Sequence, residues 1–526
     1  MINKVRKFMN EQGLNFLLVN STNKYLLEYT PLEESSRYAL TGFSGSTGDV
    51  LVTPDKIYLF VDGRYHIQAD LEVNHDLTTV VKLQTGQIFL DELARKIPDG
   101  EVLGVFAKKN SQKRVEYLKE KGVEIKLLNF DPLDKNIEYD NSNIVMVEGL
   151  PVEEKIKNIK DTLLITNLEG VSYLFNLRDF SKNYSSNIRG KAVIVNGRAR
   201  LLEDIDDFVE SYQGEIWVDK STINAYDFEL IGDKARILKD SPIKLMKAVK
   251  TDEEIKHYKE AFRRTDLAVK AIRDYIENND NISEYDISEQ LEKEFKKYGA
   301  KSLSFKSIVA KDKNSALAHY SKCSKNEIIK DGSLVLIDCG AYYEQGLATD
   351  ITRVFVKGEP SELQKRVYTT VLKMFLNAYN YIEILRTNKS CCPQDDLARH
   401  SEQSEESPTI GFDIDALARK IYSENEIDGF VFNHGLGHGI GVSVHEYPPN
   451  LSKNEMAKVE IQDGMCFTIE PGLYNEKYFG VRLENSCYMK DGKINSFVKM
   501  NYEKKLIDFS LLTEQEKEWL KEFEVL

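Results

Sequence analysis

Residues 334–356 read LVLIDCGAYYEQGLATDITRVFV. Two apolar runs, Leu334–Ile337 and Ile351–Val356, each border an aspartate, Asp338 and Asp350, and Gly346 precedes the second run. The pattern predicts a hairpin of buried strands with a carboxylate where apolar sequence should continue. An ionised carboxylate buried at a strand end costs several kcal/mol unless a cation or a full set of donors meets it. The same arrangement recurs downstream. Met465-Cys-Phe-Thr-Ile469 ends on Glu470, and Val481-Arg482-Leu483 runs into Glu484. One such acid has an ordinary structural explanation. Four in one region, as the pairs 338/350 and 470/484, call for about four positive charges, which two divalent metal ions would supply.

Histidine supports this reading. The chain has 8 histidines, and His319, His434, His438 and His445 fall in the same region as the four acids. Three lie in NHGLGHGIGVSVHE, where glycines at 435, 437, 439 and 441 let backbone approach a ligand closely. The dinucleotide fingerprint fails there, because G-x-G is followed by G-x-G and no strand–helix context fits. H-E-x-x-H is absent too, which disfavours a mononuclear zincin. Oxygen-rich ligation with one imidazole suits Mn²⁺ or Co²⁺ better than a thiolate zinc site. Two such ions can hold a bridging hydroxide, lower its pKa and polarise a carbonyl. Arg482, two residues before Glu484, is expected on the same strand face, supporting that ligand.

Composition limits the other readings. Lys plus Arg number 71 against 85 Asp plus Glu, a net charge of −14, which disfavours nucleic acid or an anionic membrane as partner. The 6 cysteines all lie beyond residue 320, with no C-x-x-C spacing, so neither a disulfide scaffold nor a thiolate zinc site is expected. The N-terminus has a basic start but no apolar h-region. No apolar run approaches the roughly 20 residues of a spanning helix. These features predict a cytoplasmic, reduced protein.

A length of 526 residues suggests about three domains at roughly 100–200 residues each. Residues 1–138 alternate helical and strand patterns, as in LNFLLVN, GDVLVTP and KIYLFVD, and predict α/β with a mixed sheet. Gly42, Gly45 and Gly48 lack the Lys-Ser/Thr of a phosphate loop. The polar segment NFDPLDKNIEYDNSN reads as a linker. Residues 139–243 form a second α/β unit without acid–histidine clustering, and 244–526 hold the candidate chemistry. Helices are expected at 252–278, 284–298 and 360–385, and Thr513–Glu516 is a capping box. Residues 389–411 are polar and aperiodic and read as a solvated, disordered insert, so His400 and the Cys391–Cys392 pair are disfavoured as ligands.

The motifs Asp338-Cys-Gly…Thr-Asp350-Ile-Thr-Arg, His434-Gly-Leu-Gly-His438, Thr-Ile-Glu470-Pro-Gly and Gly-Val-Arg482-Leu-Glu484-Asn resemble the pita-bread dinuclear metallopeptidases. That group includes methionine aminopeptidase, prolidase and aminopeptidase P. YALTGFSGSTGDVLV, LFVDGRYHIQA and the ending KKLIDFSLLTEQEKEWL look like the three-domain, cytosolic-type Xaa-Pro aminopeptidases. The resemblance implies a fold of mixed α/β and α+β class: two creatinase-N-like α/β domains, then a pita-bread α+β catalytic domain. It implies metal ligation by Asp338, Asp350, His438, Glu470 and Glu484, with two Mn²⁺ as the usual ions and Co²⁺ or Zn²⁺ as alternatives. It implies substrate binding and stabilisation of the tetrahedral intermediate by His319 and His445. His434 and Arg482 would serve the substrate pocket, and Glu470 would double as general base. The implied substrates are peptides with a penultimate proline, and the subgroup is commonly a homodimer. An X–Pro bond is a tertiary amide without N–H, so it requires a shaped proline pocket.

Two departures from the family pattern stand out. Asp338 and Asp350 are twelve residues apart where the family usually has eleven; an extra residue in the turn around Glu344–Gly346 keeps both acids inward, whereas one within a strand would flip an acid outward. The insert at 389–411 is the other. Alternatives on the same fold are an X-Pro dipeptidase, a creatinase-like amidinohydrolase and, with ligands lost, a non-catalytic binding module. Deleting residues 390–409 is expected to leave metal-dependent peptidase activity intact; inactivity of a folded deletion variant would contradict this.

Overall fold

The computed structural model describes residues 1–84, 86–135, 142–388 and 408–523. His400, the Cys391–Cys392 pair and most of the expected insert lie outside these. The end of that segment is ordered: Ile461 N–H donates to the Thr409 carbonyl at 2.8 Å, Ile410 bridges Glu460, and the helix Gly411–Glu424 starts directly after. The expected insert therefore does not extend through residues 408–411, and a deletion that spares these pairs ends at residue 407.

The chain divides into two compact units, Met1–Asp179 with Asn187–Ile243, and Phe180–Ser186 with Lys244–Leu526. The first contains two sheets. A mixed six-stranded sheet has the order Thr78–Lys82, Ile57–Val61, Asp49–Val52, Phe16–Val19, Val102–Phe106, Glu124–Leu128. In its central strand Leu17 and Val19 join one apolar cluster while Phe16 and Leu18 join another. A strand buried on both faces reads as a continuous apolar run for this reason. A five-stranded sheet follows, ordered Arg198–Leu202, Lys191–Val195, Leu163–Ile165, Ile216–Val218, Ala235–Ile237. The loop of Gly42, Gly45 and Gly48 turns its carbonyls inward: the buried Arg37 guanidinium donates to Thr47 at 2.8 Å, to Gly48 at 3.1 Å and to Gly45. Such a loop encloses a cation and would repel a phosphate. The expected linker is also fastened at its start, where Asp131 accepts from Lys109 Nζ at 2.8 Å and Ser36 Oγ at 2.6 Å.

The second unit surrounds one large core. The long helix Asp252–Asn278 opens on a capping box, Thr251 with Glu254, and the helix Glu284–Lys297 on another, Ser283 with Asp286. The helix Glu362–Tyr379 buries Val367, Val371 and Phe375 against Leu334, Leu336, Val354 and Val356 of a three-stranded antiparallel sheet, and against Phe467 and Ile469 of a five-stranded one. The first sheet runs Ile308–Lys311, Leu334–Cys339, Ile351–Val356; the second runs Glu446–Leu451, Gly437–Gly439, Cys466–Ile469, Asn485–Lys490, Lys493–Ser496. Arg353, wholly buried, stitches them together: Nη1 donates to the Glu484 carbonyl at 2.7 Å, and Nη2 to Asn485 Oδ1 at 2.8 Å and the Met500 carbonyl at 2.6 Å. Among the described residues no helix is long and apolar enough to cross a membrane.

Candidate metal centre

The aspartate hairpin keeps both acids on one face. Its turn closes where Gly346 N–H donates to the Tyr343 carbonyl at 2.9 Å, with Gly346 at φ +63°. The ladder runs unshifted from Leu334 opposite Val356 to Cys339 opposite Ile351. Asp338 faces Thr352, and Asp350 lies two residues before Thr352, so all three side chains share a face. The additional residue therefore lies in the hairpin's turn region. Glu470 follows the strand Cys466–Ile469, its N–H donating to the Leu436 carbonyl at 2.7 Å. Glu484 enters from a break between the hairpin strand Gly480–Arg482 and the strand Asn485–Lys490.

His438 lies on the short strand Gly437–Gly439. A Cβ at Gly437 would fall 2.0 Å from the Thr468 carbonyl oxygen, so glycine alone permits this approach to the strand before Glu470. His438 Nδ1 lies 3.0 Å from the Gly439 carbonyl, which makes it the protonated nitrogen. The Nε2 lone pair then points to Asp350 Oδ2 and Glu470 Oε1, both 3.6 Å away. Asp350, His438 and Glu484 offer ligand atoms all within 4.8 Å of one another. His445 packs edge-on against His438, with ring centroids 4.2 Å apart.

Three carboxylate oxygens at this centre, Asp338 Oδ1, Asp350 Oδ1 and Glu484 Oε1, are buried without a hydrogen-bond partner. Burial first, then the charges of Glu484, Asp338 and Glu470, push the Asp350 carboxyl well above the ordinary carboxylate range. Burial, Glu470 and Asp338 do the same to Glu484. Burial also raises Asp338, against the pull of Arg482. Orphaned buried oxygens are uncommon, and carboxylates that raise one another must either retain protons or be met by a cation. The donor set, four carboxylates and one imidazole with no thiolate, fits two hard divalent ions.

Arg482 departs from its expected role. The strand breaks at Leu483–Glu484, and its guanidinium turns to Asp338 Oδ2 at 2.5 Å and Tyr474 Oη at 2.8 Å. Glu484 is held instead by Thr352, whose Oγ1 donates to Oε2 at 2.7 Å and accepts from Arg482 Nε at 3.2 Å. Tyr474, raised to about 12 by burial, keeps its proton and sits 2.9 Å from His434 Nε2. His434 Nδ1 lies 2.7 Å from the Gly435 carbonyl, so Nε2 accepts from the tyrosine. Phe432 and Tyr474 flank the His434 ring at 5.1 and 5.4 Å. Thr352 had a local signal, since it shares the period-2 face of Asp350; Tyr474 and Arg353 act through long-range partners that spacing does not show.

His319 is half-buried on a loop anchored at both ends. Ser315 Oγ donates to the Gly480 carbonyl at 2.9 Å and accepts the Gly480 N–H at 2.8 Å, tying the loop to the hairpin of Arg482. The buried Glu284 carboxylate collects Lys311 N–H, Asn314 Nδ2, Tyr320 Oη and Ser324 N–H at 2.7–2.9 Å.

Thr352→Val removes the hydroxyl shared by Glu484 and Arg482. Metal affinity is expected to fall about 10–100-fold with the fold retained, measured by competition with a chelator. The raised carboxylates also give a pH dependence. A carboxyl whose pKa is higher folded than unfolded stabilises the metal-free chain below the ordinary value of about 4, and loses that contribution as pH rises through its folded pKa. Metal must displace those protons. The melting-temperature difference between loaded and chelator-treated protein should therefore widen from about pH 5 to about pH 8; a constant difference would contradict the arrangement.

Comparison with known proteins agrees with this geometry. The model for metallopeptidase family M24 matches residues 256–491, and the creatinase/prolidase N-terminal domain model matches residues 1–137. Xaa-Pro aminopeptidase 1 of Dictyostelium discoideum is 27% identical over 99% of this chain and 91% of its own length. The probable Xaa-Pro aminopeptidase P of Coprinopsis cinerea is 27% identical over 99% and 93%. The crystal structure of an X-prolyl aminopeptidase from Caenorhabditis elegans, described as a cytosolic enzyme with a di-nuclear active site, superposes with a TM-score of 0.83 at 22% identity, covering 97% of this chain and 90% of that one. The chain thus carries a metallopeptidase family M24 domain over residues 256–491, with a creatinase/prolidase-type N-terminal domain ahead of it over residues 1–137.

Proposed function

We propose that this enzyme is a dinuclear-metal aminopeptidase that hydrolyses the bond between an N-terminal residue and a penultimate proline. The observation that carries the reading is the set of three orphaned buried oxygens, on Asp338, Asp350 and Glu484, at a centre where His438 Nε2 lies 3.6 Å from both Asp350 and Glu470. These five residues would hold two divalent ions, with Mn²⁺ preferred and Co²⁺ or Zn²⁺ as substitutes. When bound, the ions supply Lewis acidity toward the scissile carbonyl and an activated nucleophile. The substrate preference follows relatives named Xaa-Pro aminopeptidases that align over nearly the whole chain.

The chain's own residues divide the remaining work. Glu470 is the general base: its side chain is 19% exposed, against 13% and 6% for Asp338 and Asp350. It takes the proton of the attacking water and returns it to the proline nitrogen, which leaves as a secondary amine. His445 and His319 bind the substrate and stabilise the negative charge that develops on the scissile carbonyl oxygen. His434, flanked by Phe432 and Tyr474, lines an aromatic pocket for the pyrrolidine ring. Arg482 stands behind that pocket and compensates Asp338. The two sheets of the first unit are read as two domains, 1–138 and 139–243, ahead of the catalytic domain 244–526. A cytoplasmic homodimer completes the reading, following the subgroup that the motifs resemble.

The test is incubation of Mn²⁺-loaded protein with X-Pro-Y tripeptides and X-Pro dipeptides. Free X released from tripeptides is the expected result. Turnover of dipeptides alone would replace this reading with an X-Pro dipeptidase, and no turnover with no bound metal would replace it with a binding module.

A further inference from the structure

The loop that carries His445 is backed by a buried charge cluster. Glu446 follows His445 directly, and its side chain is 1% exposed. Lys247 Nζ lies 2.5 Å from Glu446 Oε2 and Lys250 Nζ 3.7 Å from it, and both lysine side chains are nearly inaccessible. Glu446 Oε1 accepts the Ser443 N–H at 3.0 Å. The carboxylate presses on Gly441, where a Cβ would fall 2.2 Å from Oε2. The loop between is tied at each step. Gly441 N–H donates to the Ser443 carbonyl at 3.0 Å, the Gly441 carbonyl accepts the Ala348 N–H at 2.8 Å, and the Val442 carbonyl accepts from Ser186 Oγ at 3.2 Å.

The lysines recur every third residue in Lys244-Leu-Met-Lys247-Ala-Val-Lys250. Lys247 belongs to the helix Pro242–Ala248; Lys250 is pinned through its own N–H, which donates to the Gly464 carbonyl at 2.9 Å. Lys244 Nζ sits 4.6 Å over the ring of Tyr447, the residue after Glu446. Desolvation offsets most of what a buried ion pair gains, and apolar replacements are often as stable. Two ammoniums facing one carboxylate make stability a still poorer explanation. Such a cluster does fix orientation, because its charges tolerate few other geometries.

We propose that Glu446, clamped by Lys247 and Lys250, is the positioning residue for His445. It sets the backbone of residues 441–446, and hence the approach of the His445 imidazole to His438 and to the substrate. The proposal rests on the reading of His445 as a substrate-binding group, and its test separates the two. In the triple variant Lys247→Met, Lys250→Met, Glu446→Gln no charge is left unpaired; Glu446→Gln alone keeps the shape and serves if the triple variant does not fold. The Mn²⁺-loaded variant is expected to match the parent in melting temperature and metal content. kcat on an X-Pro-Y tripeptide should fall about 30-fold or more with KM within about threefold, and the variant's crystal structure should show His445 displaced. His445 in place with unchanged kcat overturns the proposal, and so does a loss of kcat with His445 in place. His445 displaced with unchanged kcat supports the positioning role and overturns the catalytic reading of His445 instead.

Discussion

Mutual repulsion among Asp338, Asp350, Glu470 and Glu484 is the constraint around which the second unit is organised. Four carboxylates converge there, three of them buried, and Arg482 meets one of them, Asp338, directly. Left to themselves such groups hold on to protons, since burial penalises charge and each neighbour penalises it further. The hairpin, the glycine-lined strand of His438 and the break before Glu484 all bring these acids together against that penalty. A metal ion reverses its sign: the same proximity that destabilises bare carboxylates becomes a chelate.

The scaffold opposes the repulsion with rigid attachments. Arg353 joins the sheet of the aspartates to the sheet of the glutamates through carbonyls and an amide, using none of its charge on the acids themselves. Thr352 couples Glu484 to Arg482 and, through it, to Asp338 and Tyr474. His438 and His434 each present Nδ1 to the carbonyl of the next residue. In both rings Nε2 is then the nitrogen turned away from that carbonyl: in His438 it lies 3.6 Å from Asp350 and Glu470, and in His434 it accepts from Tyr474. One local backbone geometry thus orients both imidazoles, in the proposed function one as a ligand and the other in the pocket wall.

Features encoded by local pattern were legible in the sequence. The capping box at Thr513, the helices at 252–278 and 284–298, the strand alternation around Asp338 and Asp350, and the ligand motifs of the family all depend on residues a few positions apart. What could not be read depends on partners far apart in the chain. Arg482 was expected to serve Glu484 because two residues separate them; the strand break reverses that inference, and Asp338, 144 residues away, takes the guanidinium. Composition made the glycine loop at 42–48 a weak phosphate candidate, and Arg37 occupies the space its carbonyls enclose. Residues 180–186 read as part of the second α/β stretch, yet they belong to the unit of the metal centre, where Ser186 donates to the Gly346 and Val442 carbonyls.

What sets the centre apart from other buried acids is that three orphaned oxygens meet there, whereas elsewhere they occur singly, as on Asp266 and Glu446. Glu284 is as buried as any ligand, and its two oxygens receive four donors. Glu446 is met by two ammoniums and a backbone N–H. Asp49 receives Arg114, the Ser21 N–H and hydroxyl, and Asn20. The fold supplies several donors to each of these carboxylates, although single oxygens on Glu446 and Asp266 also lack a hydrogen bond. At Asp338, Asp350 and Glu484 it leaves one oxygen of each unmet, all at one centre, beside an imidazole nitrogen whose lone pair faces the same space. In the proposed metal centre a cation would take the place of the missing donors. Two divalent ions would take the formal charge from −14 to about −10, a change small on the scale of the surface and decisive at the site.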